Sequence, residues 1–375
     1  MSGIYIHIPF CSQKCNYCDF YSIVPLARKA EFVKALIKEI ILRKDYLSGE
    51  IVDTIYFGGG TPSVLSVSEL SNIIEALAAN FQHSKDLEMT FEANPEDLSI
   101  SYLKEIKKLG INRLSIGVQS FRDSDLLFMK RTHNSLEALN SVLRATESGF
   151  ENISIDLIYG LPNLSLNDWE LNLKQAFQLP IKHLSSYHLT YEKQTLLYKQ
   201  LLQKKFTPST EDSSIAQFEL LMDYTQQNNL PYYEISNFSI EGYYSKHNLS
   251  YWQQKKYLGL GPSAHSYNGR TREWNVSNLL KYLEGIKTRN RVFEKEILSP
   301  IDIENEFLIT NLRTKWGIDL ISYSEKFGAL NKQKIIKDVE SFVNQELVIY
   351  QQNTIKFSRK GILLSDFILE KLFRL

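Results

Sequence analysis

All three cysteines of this 375-residue chain, Cys11, Cys15 and Cys18, lie in the stretch "YIHIPFCSQKCNYCDF" (5–20), spaced C-x-x-x-C-x-x-C. An odd number of thiols, in a chain read as cytoplasmic where thiols stay reduced, speaks for metal ligation over a disulfide. Two metal chemistries remain open. A structural zinc needs a fourth ligand, from His7 just upstream or from a distant histidine. A four-iron cluster on three thiolates leaves one iron without a protein ligand. Such an iron can take a small chelator offering an amine and a carboxylate, for which the methionyl end of S-adenosylmethionine is suited; an electron from the cluster then cleaves the sulfonium to a carbon radical.

Other polar residues sit where apolar runs end: "FGGGTP" (57–62), "FEANP" (91–95), "IGVQS" (116–120) and "ISIDLIYGLP" (153–162). The glycines Gly58, Gly59 and Gly60 let a backbone edge approach a ligand, with Thr61 beside them, though the same run also makes a tight strand-to-helix turn. Glu92 and Gln119 read either as ligand contacts or as solvated loop residues. Asp156 interrupts a near-continuous apolar strand, where a carboxylate is costly unless hydrogen-bonded, and ribose hydroxyls would satisfy it. Arg131, in "FMKRTH", offers a guanidinium fork to a ligand carboxylate or is a surface charge.

These residues need a scaffold that gathers strand ends. Ile4, Ile6 and Ile8 alternate with Tyr5 and His7 in a first strand that Pro9 stops. A helical stripe of Phe32, Val33, Leu36, Ile37, Ile40 and Ile41 follows, then a strand over 51–57, a capping box at Ser66 and Glu69, and a further helix. Strand patterns recur at 87–92, 112–118, 152–159 and 183–190, with helices near 99–109, 135–148 and 167–178. Six strand–helix units predict an α/β fold, a parallel sheet curled into a partial (β/α)6 TIM-type barrel that stays open on one side. The polar residues named above all follow strands, where such folds build their active sites.

Composition bounds the partners. Hydrophobic residues make up 43% and charged ones 23%, and Lys+Arg and Asp+Glu both total 43, so no overall basic field exists to hold nucleic acid. No apolar run reaches the about 18 to 20 residues of a membrane span, and the N-terminus enters the first strand without a charged leader. The expectation is a cytoplasmic protein with at most peripheral membrane association.

The cysteine spacing with an aromatic residue, Tyr17, before its last cysteine resembles the radical S-adenosylmethionine superfamily. "YIHIPFC", "FGGGTPS", "FEANPEDL", "RLSIGVQSF", "KRTH", "IDLIYGLP" and "HNLSYW" together are similar to its HemN-type group, which holds the oxygen-independent coproporphyrinogen III oxidases and the HemW heme chaperones. The resemblance runs by motif from Ile4 to about Trp252. It implies a 4Fe-4S cluster on Cys11, Cys15 and Cys18, and an S-adenosylmethionine pocket lined by Tyr5, Tyr17, Gly59, Gly60, Thr61, Glu92, Gln119, Arg131 and Asp156.

Three features separate the branches. The oxidases carry a further cysteine two residues after the third ligand, where this chain has Phe20. They also carry a long extension ahead of the first strand, whereas Tyr5 is here the fifth residue. "HNLSYW" (247–252) resembles the HNxxYW motif of the chaperone branch, which implies heme as a ligand, His247 as a candidate iron ligand, and Tyr251 and Trp252 as cover for the macrocycle. A histidine beside Tyr and Trp also serves as a hydrogen-bonded packing element.

The loop-like stretch 257–275 leads to a helix. From Pro300 the pattern is helical up to a hairpin, "ELVIY" (346–350) and "TIKFS" (354–358), and a last helix, which resembles a winged-helix module. The chain divides on this reading into a radical S-adenosylmethionine barrel (1–235), a connecting segment with HNxxYW (236–299) and a C-terminal unit (300–375). The function expected is a heme chaperone delivering heme to acceptors such as respiratory hemoproteins. The alternative is a radical oxidase that decarboxylates coproporphyrinogen III to protoporphyrinogen IX.

Overall fold

The computed structural model describes residues 2–24 and 26–374. Six parallel strands are laid down in chain order: β1 (Ser2–Ile8), β2 (Val52–Gly59), β3 (His83–Ala93), β4 (Arg113–Gln119), β5 (Asn152–Tyr159) and β6 (His183–His188), each pairing with the next. Between them run α1 (Lys29–Leu42), α2 (Val67–Asn80), α3 (Ile100–Lys108), α4 (Asp123–Phe128), α5 (Ser135–Glu147) and α6 (Leu166–Phe177). The capping box of Ser66 and Glu69 starts α2. Helix α4, six residues long, has no counterpart in the sequence reading.

Every strand alternates. Ile4, Ile6, Ile8, Ile55, Phe57, Phe91, Leu114, Ile116, Ile153, Ile155 and Leu184 are buried under the helices, against Phe32, Leu36, Leu70, Leu103, Val142 and Trp169. Each such side chain contributes about 1.5–3 kcal/mol by leaving water. The opposite, inward faces carry Tyr5, Thr54, Tyr56, Glu92, Ser115, Ser154, Asp156 and His183; across the lumen Tyr5 stacks on Tyr56, Tyr56 bonds Glu92, Ser115 bonds Asp156 and Ser154 bonds His183. Parallel strands covered on both faces usually read as continuous apolar runs; here a polar lumen leaves a period of two.

After α7 (Leu196–Leu202) and α8 (Glu211–Gln227), the short strands β7 (Tyr232–Glu234) and β8 (Asn237–Ser239) extend the sheet beyond β6. Helix α9 (Lys246–Trp252) then leads to β9 (Tyr257–Leu260), β10 (His265–Tyr267), β11 (Thr271–Asn275), α10 (Leu279–Lys287) and β12 (Phe293–Ile297). Strand β9 pairs parallel with β1, and the sheet runs β12-β11-β10-β9-β1-β2-β3-β4-β5-β6-β8-β7 with β12 and β7 as its edges, so the barrel is partial.

Residues 257–275, expected as a loop, are thus three strands. Gly259 lies inside β9, where the β10 backbone crosses it: a Cβ there would stand 1.9 Å from His265 O. The same region corrects the stripe of α1. Ile41 is 51% exposed and Glu39 is fully buried, accepting from Gly261 N (2.8 Å), Asn275 Nδ2 (2.7 Å) and Tyr282 Oη (2.8 Å). Arg43, on the next turn, donates to Gly259 O (2.8 Å) and pairs with Glu273 (3.1 Å). A polar seam, invisible to periodicity, fastens α1 to β9–β11.

The C-terminal part holds α11 (Pro300–Leu312), β13 (Ile318–Asp319), α12 (Leu320–Phe327), α13 (Ala329–Asn344), the hairpin β14 (Val348–Gln351) and β15 (Thr354–Phe357), α14 (Arg359–Leu363) and α15 (Ser365–Leu372). The expected wing is present with β13 as a third strand, and the expected last helix is two, joined at Leu364.

Candidate functional site

The cysteine loop leaves β1 at the end where the parallel strands terminate. Its base is closed by paired backbone, Cys11 N to Ile23 O (3.0 Å) and Ile23 N to Pro9 O (2.8 Å). Asn16 anchors its middle: Nδ2 donates to Phe128 O (2.7 Å) at the end of α4, and its carbonyl accepts from Leu197 N (2.8 Å) of α7. All three thiols are free; Cys11 is buried and the other two are half-buried. Burial, reinforced by the other two sulfurs, pushes the Cys18 thiol up to about 11, so a bound cation is what would make it a thiolate.

His7, suggested as a zinc ligand, is committed elsewhere. Its Nε2 bonds Tyr21 O at 2.8 Å, its Nδ1 lies 3.3 Å from Tyr5 Oη, and burial lowers its pKa to about 4. Among the described residues no group of three or more His, Cys, Asp and Glu is set to hold a single metal ion. Three thiols without a fourth protein partner fit a cluster whose corners are separate irons, one of them open.

Around this loop the strand ends converge. Gly60 N donates to Ile8 O (2.8 Å) and Thr61 N to Phe10 O (2.7 Å), so the loop after β2 is sewn to β1 and the cysteines. Gly59 has φ +106° and a Cβ on it would stand 2.5 Å from His7 Nδ1; the glycine run answers first to this close approach. Glu92 accepts from Tyr56 Oη (2.6 Å) and Gly59 N (3.3 Å), and burial, with Asp156 nearby, raises it to about 7. Asp156 accepts from Ser115 Oγ (3.4 Å) and is raised by burial to about 6, against its bond from Ser185 and the charge of Arg113. Both keep part of their surface open to the lumen.

Arg131 is the hub. Nη2 donates to Asn94 Oδ1 (2.7 Å) and Gly117 O (2.9 Å), Nη1 reaches Cys15 Sγ (3.4 Å), and Nε is buried with no partner. Gln119 is buried, holds a left-handed φ of +67°, and its amide lies over Gly117 beside Arg131. Tyr17 is half-buried, and burial raises its hydroxyl far above the usual phenol range, with Arg131 opposing and Cys15 and Cys18 adding to it. An orphaned guanidinium Nε and a strained, inward amide fit a pocket made for a carboxylate-bearing ligand next to the cysteines.

His247 lies elsewhere. Its Nδ1 bonds Thr54 Oγ1 (2.8 Å), its Nε2 bonds Tyr251 Oη (2.8 Å), its backbone N donates to Glu88 Oε1 (3.1 Å), and it is 1% exposed. Thr54 precedes Gly59 by five residues on β2, so about 16 Å of strand separates this floor from the mouth. Burial, with Arg113, lowers the imidazole to about 3. With both nitrogens engaged, His247 offers iron no free lone pair in this conformation; half-buried Tyr251 packs edge-on against it with ring centroids 5.0 Å apart, and Trp252, also half-buried, ends α9.

The model of the radical SAM superfamily matches residues 5–176. A heme chaperone HemW of Lactococcus lactis subsp. lactis is 33% identical over 99% of this chain and 97% of its own length, and that of Bacillus subtilis is 34% identical over 98% and 97%. The chain belongs to the HemW family of radical SAM proteins. The mitochondrial radical S-adenosyl methionine domain-containing protein 1 of Bos taurus is also similar, 32% identical over 98% of this chain and 86% of its own. In structure, the HemN coproporphyrinogen III oxidase of Escherichia coli superposes with a TM-score of 0.87 over 99% of this chain and 90% of that one, at 22% identity, a likeness of fold.

Within the HemW frame, the structure brings Cys11, Cys15, Cys18, Tyr17, Gly59, Gly60, Thr61, Gln119 and Arg131 to the mouth, with Tyr5, Glu92 and Asp156 lining the lumen below. Sequence reasoning missed Asn16, Tyr56, Asn94 and Arg113. Two signals were available: Tyr56 shares the inward face of β2 with Thr54, and Arg113 opens β4, two residues before Ser115 on the same face.

Proposed function

We propose that this protein is a heme chaperone that binds heme, a 4Fe-4S cluster and S-adenosylmethionine, and passes heme to acceptor hemoproteins such as respiratory enzymes. The observation that carries the reading is a trio of free thiols at the barrel mouth in a chain matched nearly end to end by heme chaperones. The cluster, when bound on Cys11, Cys15 and Cys18, supplies single electrons and an open iron for the amine and carboxylate of S-adenosylmethionine.

The chain's own residues do the holding. Arg131 presents its free Nε to the ligand carboxylate while its other nitrogens fix Cys15, Asn94 and Gly117 in place. Gly59, Gly60 and Thr61 provide a backbone edge for the amine, and Gln119 adds an amide at the mouth. Glu92 and Asp156 accept from ribose hydroxyls when ionised. Tyr5 and Tyr17 close the pocket with aromatic faces and keep water out.

Heme is flat and mostly apolar. Beside the cysteines, Phe20 is 67% exposed, with Val24 and Leu26 also exposed along the loop; this strip is the surface we assign to it, with His247 as a brace of the floor. Phe20 occupies the position of the oxidases' further cysteine. No helix among the described residues is long and apolar enough to cross a membrane, and with zero net charge we place the protein in the cytoplasm, apart from nucleic acid and reaching membranes only through an acceptor. The division into 1–235, 236–299 and 300–375 is retained as a proposal for limited proteolysis to test.

The test is heme titration of anaerobically reconstituted wild type, Phe20→Asp and His247→Gln, with coproporphyrinogen III offered in parallel. The reading expects heme binding without conversion, weakened in Phe20→Asp and unchanged in His247→Gln. Conversion to protoporphyrinogen IX would replace it with the oxidase.

A further inference from the structure

On β4 the inward residues are Arg113, Ser115 and Gly117, since Ser115 Oγ reaches Asp156 and Gly117 O accepts from Arg131. Arg113 is 1% exposed and among the largest fully buried side chains. Among the described residues none hydrogen-bonds to its guanidinium or forms an ion pair with it, and its Nε is buried without a partner. A buried, unpaired cation is retained against a heavy desolvation cost only where something in its surroundings compensates it.

Strand register shows what lies above it. Arg113 pairs with Thr90 and Asn152, and Ser115 pairs with Glu92 and Ser154. Arg113 therefore stands one inward step beneath Glu92 and two beneath Asp156, which follows Ser154 by two residues on β5. Burial raises the proton affinity of both carboxyls, and the charge of Arg113 opposes it at both.

The other groups in the neighbourhood carry little positive charge. Glu92 also faces Tyr56 of β2, Tyr5 of β1 and Tyr187 of β6. Asp156 also feels Arg131, from the mouth side. Around Arg113 itself stand His183 of β6 and His247 of α9, both held neutral by burial, and Tyr233 of β7, with Glu88 on the inward face of β3 accepting from His247 N.

We propose that Arg113 is a positioning residue for the S-adenosylmethionine pocket: the counter-charge deeper in the lumen, beneath Glu92 and Asp156, that favours the ionised form of both carboxylates, and so their accepting from the ligand's ribose hydroxyls. The inference rests on the pocket reading above. An ionised carboxylate is an acceptor at both oxygens, whereas a protonated one turns a donor toward the sugar. Arg113 acts through these two residues and touches no ligand.

The test is equilibrium dialysis of S-adenosylmethionine against cluster-loaded wild type, Arg113→Gln and Arg113→Lys from pH 6 to 9, with iron content and thermal melts measured on the same samples. Wild-type affinity is expected to weaken as the pH falls below about 7, where Glu92 takes up its proton. In Arg113→Gln the fall moves up by about one pH unit, so affinity at pH 7 drops about fivefold and recovers at pH 9. Arg113→Lys keeps the charge without the fork and follows the wild-type profile. Uniform loss across the pH range in Arg113→Gln, no loss at all, or a shifted profile in Arg113→Lys overturns the proposal. Should Arg113→Gln fail to fold, the lysine variant decides alone by the same criterion. Wild type that binds no S-adenosylmethionine at any pH rejects the pocket reading itself, a separate outcome.

Discussion

Arg131 Nη1 stands 3.4 Å from Cys15 Sγ, and Nη2 of the same guanidinium reaches Asn94 Oδ1 at 2.7 Å and Gly117 O at 2.9 Å. One side chain ties the cysteine loop to the ends of β3 and β4. Lysine keeps the charge but not the planar fork. Arg131→Lys should still load iron, yet lose one or two charge-assisted hydrogen bonds at about 1.5–3 kcal/mol each, weakening S-adenosylmethionine binding by about 10- to 100-fold or more. Calorimetric titration of reconstituted protein reads this directly; equal affinity contradicts the assigned role.

Serine at Cys11, Cys15 or Cys18 removes a soft metal ligand while barely changing volume. Each variant should fail to retain stoichiometric iron and sulfide, while the metal-free protein melts within about 1 kcal/mol of wild type, because the loop is held by Asn16 and the Phe10–Ile23 bridge. Retention of a full cluster by any of the three would remove that cysteine from the ligand set.

His247 predicts a pH signature. Unfolded, an imidazole protonates near 6.5, whereas burial in the fold lowers this one to about 3. Between those values the unfolded chain binds the extra proton, so the contribution of His247 to stability is complete above pH 6.5 and declines as the pH falls toward 3. Against wild type, His247→Gln should cost about 2 kcal/mol at pH 8 through its unmade bonds. The gap should narrow by about 1.4 kcal/mol per pH unit below 6.5, closing near pH 5. Urea melts at stepped pH measure it, and a pH-independent gap would contradict the buried, neutral imidazole.

The C-terminal unit is locked by its penultimate residue. Arg374 Nε donates to Glu304 Oε1 (2.7 Å) and Nη1 to Asp338 Oδ2 (2.6 Å), with the first pair almost wholly buried. Arg374→Met leaves Glu304 with Tyr323 and Asn331 but without its counter-charge, and should cost about 3 kcal/mol. A lowered or separate melting transition in calorimetry is the expected result, and an unchanged melt the contrary one.

Local rules made the barrel legible. Apolar residues at every second position of β1 through β5, and Ser66 with Glu69 ahead of α2, are short-range signals that the fold preserved. What escaped was set by partners far along the chain. The stretch 257–275 reads as a loop because nothing local says that His265 O crosses Gly259, and Glu39 has no place in the apolar stripe of α1 because its partners at Gly261, Asn275 and Tyr282 are more than 200 residues away. For the site, motif spacing placed the mouth residues at one end of the sheet, but the engagement of both nitrogens of His247 and the isolation of Arg113 are three-dimensional facts with no sequence period. Asp156 shows the limit: its cost inside an apolar strand was readable, its partners were not.

The central claim is a cluster with one open iron facing the Arg131 pocket. Electron paramagnetic resonance of the anaerobically reconstituted, reduced protein tests it most directly. The account predicts a reduced-cluster signal whose g-values shift when S-adenosylmethionine is added, and no such signal once Cys15 is serine. A protein that keeps tightly bound zinc and refuses iron and sulfide, or a cluster signal indifferent to S-adenosylmethionine, would contradict it.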